Sequence, residues 1–137
     1  ALDGLSRIVP TSLCQDPTSA GDVFFVGTSL GFIVKMDLVG NIKTMLHSKG
    51  QGHVLHLIPH PTLPLLFSSH ADKLIRAWDV ASGSHRYSFP SHDTEVTHLD
   101  CDPSGLFLSS VGNDGYLKIW SVEERRSKAQ IMAHRSK

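Results

Sequence analysis

Neither sign of charge prevails in this sequence: Lys and Arg together number 13, and so do Asp and Glu. A neutral chain offers no electrostatic attraction to nucleic acid or to an anionic membrane surface, so neither is expected as a partner. Cysteine is scarce. Cys14 and Cys101 are the only two, and they lie too far apart for a disulfide framework or for the paired spacing of a zinc site. So low a thiol content fits a reducing compartment. A cytoplasmic location is expected, with membrane contact only through regions outside this chain. No apolar run approaches the roughly 20 residues that a membrane-spanning helix needs. The first residues, ALDGLSRIVP, lack the basic head and apolar stretch of a signal peptide. They also lack an initiator Met, which leads us to expect a piece of a longer chain. The 137 residues suffice for one domain of ordinary size.

What the sequence does have is a period. HVLHLIPHPTLPLLFSSHADKLIRAWDV (53–80) and EVTHLDCDPSGLFLSSVGNDGYLKIWSV (95–122) align without a gap at a shift of 42. Val54 meets Val96, His56 meets His98, Leu57 meets Leu99 and Pro61 meets Pro103. Further along, Leu66 meets Leu108, Ser68 meets Ser110, Asp72 meets Asp114 and Trp78 meets Trp120. One more step back gives a weaker copy: Met36 falls on Trp78, Ile33 on Ile75, and VFFV (23–26) on LLFS (65–68). About three units therefore fit the chain, at about 8–50, 51–93 and 94–137.

Each unit carries strand signals separated by turns. In the last one, Val96–Cys101 is β-rich and Asp102-Pro103-Ser104-Gly105 is a turn. Leu106–Val111 is a second strand, Gly112-Asn113-Asp114-Gly115 a second turn, and Tyr116–Val122 a third strand. A fourth strand is expected near Ala129–Ala133, although ERRSK before it is also compatible with helix. Four strands per unit, a period of about 40–45 and a recurrent Trp fit a β-propeller blade. The expected fold is all-β: a partial β-propeller of about three four-stranded antiparallel blades, with residues 1–137 forming part of one propeller domain. Three blades do not close a ring, since propellers usually have about four to eight. Further blades are expected on both sides, and the piece alone is expected to associate through open strands and apolar faces.

Gly27-Thr28-Ser29-Leu30-Gly31 matches G-x-S-x-G, the nucleophile elbow of serine hydrolases. An elbow needs strand, turn and then helix. Here an apolar, β-branched run, FIVKMD, follows the match, and Ser29 aligns with the turn residues Ala71 and Asn113. A hairpin turn is the expected reading; a hydrolase using Ser29 is the alternative. Nine His residues raise the question of metal. His56-x-x-x-His60 would converge on a helix face, but in a strand followed by a Pro turn it does not, and His98 repeats His56 at the period. No metal or other cofactor is expected. The tail EERRSKAQIMAHRSK is locally basic and reads as a solvated edge.

SHDTEV followed by DPSGLFLSSVGNDGYLKIWSV resembles a WD repeat. In such propellers a His, a strand Ser or Thr, a turn Asp and a Trp form a buried hydrogen-bond chain. The resemblance assigns these roles to His92, Asp114 and Trp120, with Ser110 or a neighbouring serine as the strand member. In the middle unit Ser68, Asp72 and Trp78 remain, but Gly50 replaces the His, so an incomplete chain is expected despite His53 nearby. Leu30 and Met36 deny the first unit such a chain.

The motif order is similar to that of the C-terminal propeller of striatins. IVPTSL (8–13), His-Pro-Thr-Leu-Pro (60–64) with SSHADKLIRAWD (68–79), and the DPSG-to-KIW run with AHRSK (133–137) carry that resemblance. It implies a non-catalytic scaffold, a regulatory subunit of protein phosphatase 2A in an assembly with germinal-centre-type kinases and a Mob-like protein. A WD-repeat adaptor of another complex is the alternative. The coiled-coil, calmodulin-binding and caveolin-binding segments of striatins have no counterpart here. Partners are expected on the rim of the second-to-third-strand turns, at Ala71, Lys73 and Asn113, with Thr94 near the start of the first strand.

Overall fold

A computed structural model of the chain describes residues 10–16, 23–37, 42–46, 53–90, 92 and 94–132. Those residues form twelve strands and no helix. The first sheet holds β1 (Pro10–Gln15), β2 (Val23–Thr28), β3 (Ile33–Asp37) and β4 (Ile42–Leu46). The second holds β5 (Val54–Pro59), β6 (Leu65–His70), β7 (Leu74–Asp79) and β8 (His85–Pro90). The third holds β9 (Val96–Cys101), β10 (Phe107–Gly112), β11 (Tyr116–Ser121) and β12 (Arg126–Met132). Every pairing is antiparallel between consecutive strands, so each sheet is a four-stranded meander. The ERRSK segment turns at Glu124 and Arg125 and is strand from Arg126 onward.

The period of 42 is visible in the hydrogen bonding itself. The middle strands pair Val26 with Val34, Ser68 with Arg76, and Ser110 with Lys118. The third-to-fourth pairing slips one residue before Met36, before Trp78 and before Trp120. Such a bulge strengthens the local twist, and repeating it gives every blade the same curl. The turns between second and third strands place Gly31, Lys73 and Gly115 in the left-handed region, at φ 91°, 74° and 85°.

The first strands β1, β5 and β9 lie side by side, and two apolar layers separate the sheets. Between the first and second sheets, Phe25 and Ile33 meet Val54, Leu57, Leu66 and Trp78. Between the second and third, Phe67 and Ile75 meet Val96, Leu99, Leu108 and Trp120. Each member of one layer has its counterpart 42 residues on in the other. Full burial of a large apolar side chain contributes roughly 1.5–3 kcal/mol, so repeated packing is what holds blade to blade. The middle sheet is covered on both faces, and all six residues of β6 are buried. Among the described residues, the end sheets are not. Leu13 faces Val26 across the pair as Leu57 faces Ser68, yet Leu13 is 66% exposed and Leu57 only 3%.

Candidate functional site

Strand alternation sends Ser110 to the same face of the third sheet as Leu108, opposite Trp120. The Trp120 indole N–H donates to Ser110 Oγ at 2.9 Å. Ser110 Oγ meets His92 Nε2 at 2.9 Å, and His92 Nδ1 reaches both carboxylate oxygens of Asp114 at 3.1 Å. An indole can only donate and a carboxylate only accept. In the neutral tautomer that donates from Nδ1 the imidazole accepts at Nε2, and each hydrogen in the chain then points from Trp120 toward Asp114. Asp114 Oδ1 also accepts the Tyr116 N–H at 3.1 Å, closing the turn that begins β11. The His92 side chain is fully buried, and the backbone of Gly112 runs directly against its ring.

The middle blade builds a comparable chain by another route. Trp78 Nε1 donates to Ser68 Oγ at 2.8 Å, and Ser68 Oγ meets His70 Nε2 at 2.8 Å. His70 stands where Gly112 stands in the third blade. The missing His therefore matters less than the sequence suggested: an imidazole reaches the serine from the second strand itself. Gly50 lies outside the described residues. Asp72 turns to Arg76, accepting from Nη2 at 2.6 Å and Nη1 at 3.2 Å. Burial works to raise the Asp72 pKa, but the Arg76 guanidinium outweighs it and holds the carboxyl below its ordinary value. In the first blade Val26 occupies the serine position, Met36 the Trp position, and Leu30 is 60% exposed.

Ala71, Lys73 and Asn113 sit in the turns between second and third strands, with Lys73 and Asn113 exposed and Ala71 half-buried. The Ala71 N–H bonds His53 O and the Asn113 N–H bonds Glu95 O, tying these turns to the segments that lead into β5 and β9. Thr94 lies beside that segment, and its buried hydroxyl has no partner among the described residues. The four residues are thus brought to one rim.

The family model described as "WD domain, G-beta repeat" matches residues 42–79 and 83–121, more than half of the chain. The chain belongs to the WD-repeat family. Its propeller fold is also that of two solved structures. "Structure of U3-55K" superposes with a TM-score of 0.85 at 23% identity, covering 93% of this chain and 40% of that one. "Crystal structure of RRP9 WD40 repeats" gives 0.83 at 25% identity, with the same coverage. Among curated proteins, Striatin-4 of Homo sapiens is 33% identical over 133 residues, 94% of this chain and 18% of its own length. Striatin of Homo sapiens is 33% identical over 102 residues, 74% of this chain and 13% of its own. The chain thus resembles striatins while spanning less than a fifth of their length.

Within this WD-repeat frame the other candidates find ordinary places. Ser29 lies in the hairpin turn between β2 and β3, and a strand rather than a helix follows it. The elbow geometry is therefore not formed. His56 and His98 meet on neighbouring innermost strands, ring centroids 4.6 Å apart. Burial, and then the neighbouring His98, push the His56 pKa down. No group of three or more metal-ligating side chains occurs among the described residues. Burial, with Asp16 nearby, raises the Cys14 thiol to about 12; burial with Asp102 and Asp100 raises Cys101 to about 11. His70 and Arg76 carry no motif that marks them in the sequence, and His60 stands out there only as half of the His56-x-x-x-His60 metal candidate. His60 is buried, accepts the Thr62 and Leu63 N–H groups at Nδ1, and meets Gly105 O of the next blade at 2.9 Å from Nε2.

Proposed function

We propose that this WD-repeat chain is a non-catalytic interaction scaffold, part of a striatin-like regulatory subunit of a protein phosphatase 2A and kinase assembly. One observation carries the scaffold reading. Among the described residues, His92, Asp114, Ser110, His70 and Ser68 are consumed inside the sheets, where they hold strands to one another. A buried polar network of this kind rigidifies the blade and leaves the turns at its rims to meet partners. Similarity to Striatin-4 along 94% of the chain supports the striatin-like reading. By that resemblance the partners are phosphatase subunits, germinal-centre-type kinases and a Mob-like protein, met in the cytoplasm on the rim of Ala71, Lys73, Thr94 and Asn113.

Affinity capture of the full-length protein tests this reading. Co-enrichment of the phosphatase scaffold subunit and a kinase is expected. Capture of an unrelated stable assembly would instead make the chain an adaptor of another complex. The hydrolase alternative predicts labelling of Ser29 by a fluorophosphonate, and we expect none from folded protein.

A further inference from the structure

The opposite rim, formed by the first-to-second and third-to-fourth-strand turns, holds a cleft of about 430 Å³ between the second and third blades. Leu63 and Leu106 rise from neighbouring turns as its apolar walls, 48% and 55% exposed. Val122 and Tyr87 contribute to its lining, and Arg86 and Arg125 also face it. His60, with both ring nitrogens engaged, clasps the two walls together through Gly105.

Arg125 is the unusual member. Its φ is 60°, in the left-handed region that L side chains rarely enter. The equivalent position one blade earlier is Gly83, at φ 76°. Where glycine would meet the turn's needs without strain, this blade carries an arginine, and strain of this kind points to use. The conformation lays the guanidinium over the Tyr87 ring of the neighbouring blade, 4.1 Å from its centroid. Engaged through its face, a guanidinium keeps its in-plane N–H groups for a planar, two-oxygen acceptor. Arg86 differs, because it already reaches Asp79 at 3.4 Å.

We propose that this cleft binds a short linear peptide segment of a partner protein, burying one large apolar side chain between Leu63 and Leu106 and placing an adjacent carboxylate on Arg125. Glu123 on the same lip discourages a second acidic group there. The site deepens the scaffold reading and rests on it. It adds a second docking position on the rim away from Ala71 and Asn113.

The test uses the full chain and an array of fluorescent heptapeptides. Each has Leu, Ile or Phe at the centre and Asp or Glu at one neighbouring position. Controls carry Ala at the centre or Lys for the acid. Binding is read by fluorescence anisotropy and located by NMR shifts of the Leu63, Leu106 and Val122 methyl groups. The expected result is binding by apolar–acidic peptides alone, with shifts at those methyls. Arg125→Gly, which the turn accepts as it accepts Gly83, should weaken binding at least tenfold while keeping the fold, and Leu106→Ala should do likewise. Equal binding by Arg125→Gly, methyl shifts elsewhere, or no binding across the array would overturn the proposal. Affinity capture of wild type and Arg125→Gly separates the two readings. Partners captured by both while every peptide fails would refute the cleft and leave the scaffold standing; no partners at all, with peptides still bound, would refute the scaffold alone.

Discussion

Replacing Gly112 by Ala adds one methyl group where the third blade has no room for it. The new Cβ would lie 2.8 Å from both Cγ and Nδ1 of His92 and 3.0 Å from Asp114 Oδ1. The ring cannot swing aside, because Ser110 holds one nitrogen and Asp114 the other. Overpacking of a filled site costs about 1–3 kcal/mol. Displacing the ring also weakens two hydrogen bonds, each worth about 1 kcal/mol. Against this, Ala for Gly in a strand regains roughly 0.5–1 kcal/mol. The net expectation is a loss of about 2–3 kcal/mol. His92→Ala alone is also costly, by about 2–4 kcal/mol, since it takes from the Asp114 carboxylate and the Ser110 hydroxyl the imidazole that both bond. With the ring gone, however, the methyl at 112 meets only Asp114 Oδ1, a side-chain oxygen that no longer has the ring to hold it in place, and Gly112→Ala becomes close to neutral. Urea unfolding of wild type, both single variants and the double variant gives the coupling directly. We expect the double variant to be more stable than additivity predicts by at least about 2 kcal/mol. Additivity within about 0.5 kcal/mol, the range for independent sites, would refute the ring placement.

Three further outcomes follow from the same geometry. Ser68→Ala and Ser110→Ala each orphan a buried indole N–H and should each cost about 1–3 kcal/mol, measured by chemical denaturation; a cost in one blade alone would mean that the two networks differ. Asp72→Asn should show a stability deficit that is full above the ordinary carboxylate pKa and shrinks as pH falls through the depressed folded value; a deficit constant from pH 6 to 3 would contradict the Arg76 pairing. With thiols raised to about 12 and about 11, the half-buried Cys14 and Cys101 should react with a disulfide reagent at pH 8 far more slowly than the same thiols in urea; equal rates would contradict their partial burial.

The blade repeat was legible because the residues that define it are apolar and local. Phe25 with Phe67, Leu66 with Leu108, and Trp78 with Trp120 occupy equivalent seats in successive layers, and packing demands the same side-chain type at each seat. Ser110 also follows from alternation: Leu108 and Ser110 share the face that Trp120 meets, whereas Ser109 points away to bond Asp100 O. His70 was harder. The sequence contains a reciprocal swap, Gly50 with His70 in one unit and His92 with Gly112 in the next. Only the closeness of the Gly112 backbone to the His92 ring reveals that the two histidines claim the same space. The Arg125 cleft left a fainter mark, an arginine at the position where the preceding blade has Gly83. Reading it required the backbone angle. Clefts between blades depend on contacts between residues some 40 positions apart, such as His60 with Gly105, which no local pattern encodes.

The most direct test of the repeated blade is hydrogen exchange at the two indole N–H groups, followed by NMR on the full chain. Trp78 and Trp120 are both buried, each donating to a strand serine at 2.8 and 2.9 Å. Both signals should exchange slowly, and Ser68→Ala and Ser110→Ala should each accelerate only the indole of its own blade. One indole exchanging at the rate of free tryptophan, or either substitution moving the other blade's signal instead of its own, would contradict equivalent seats for the two residues.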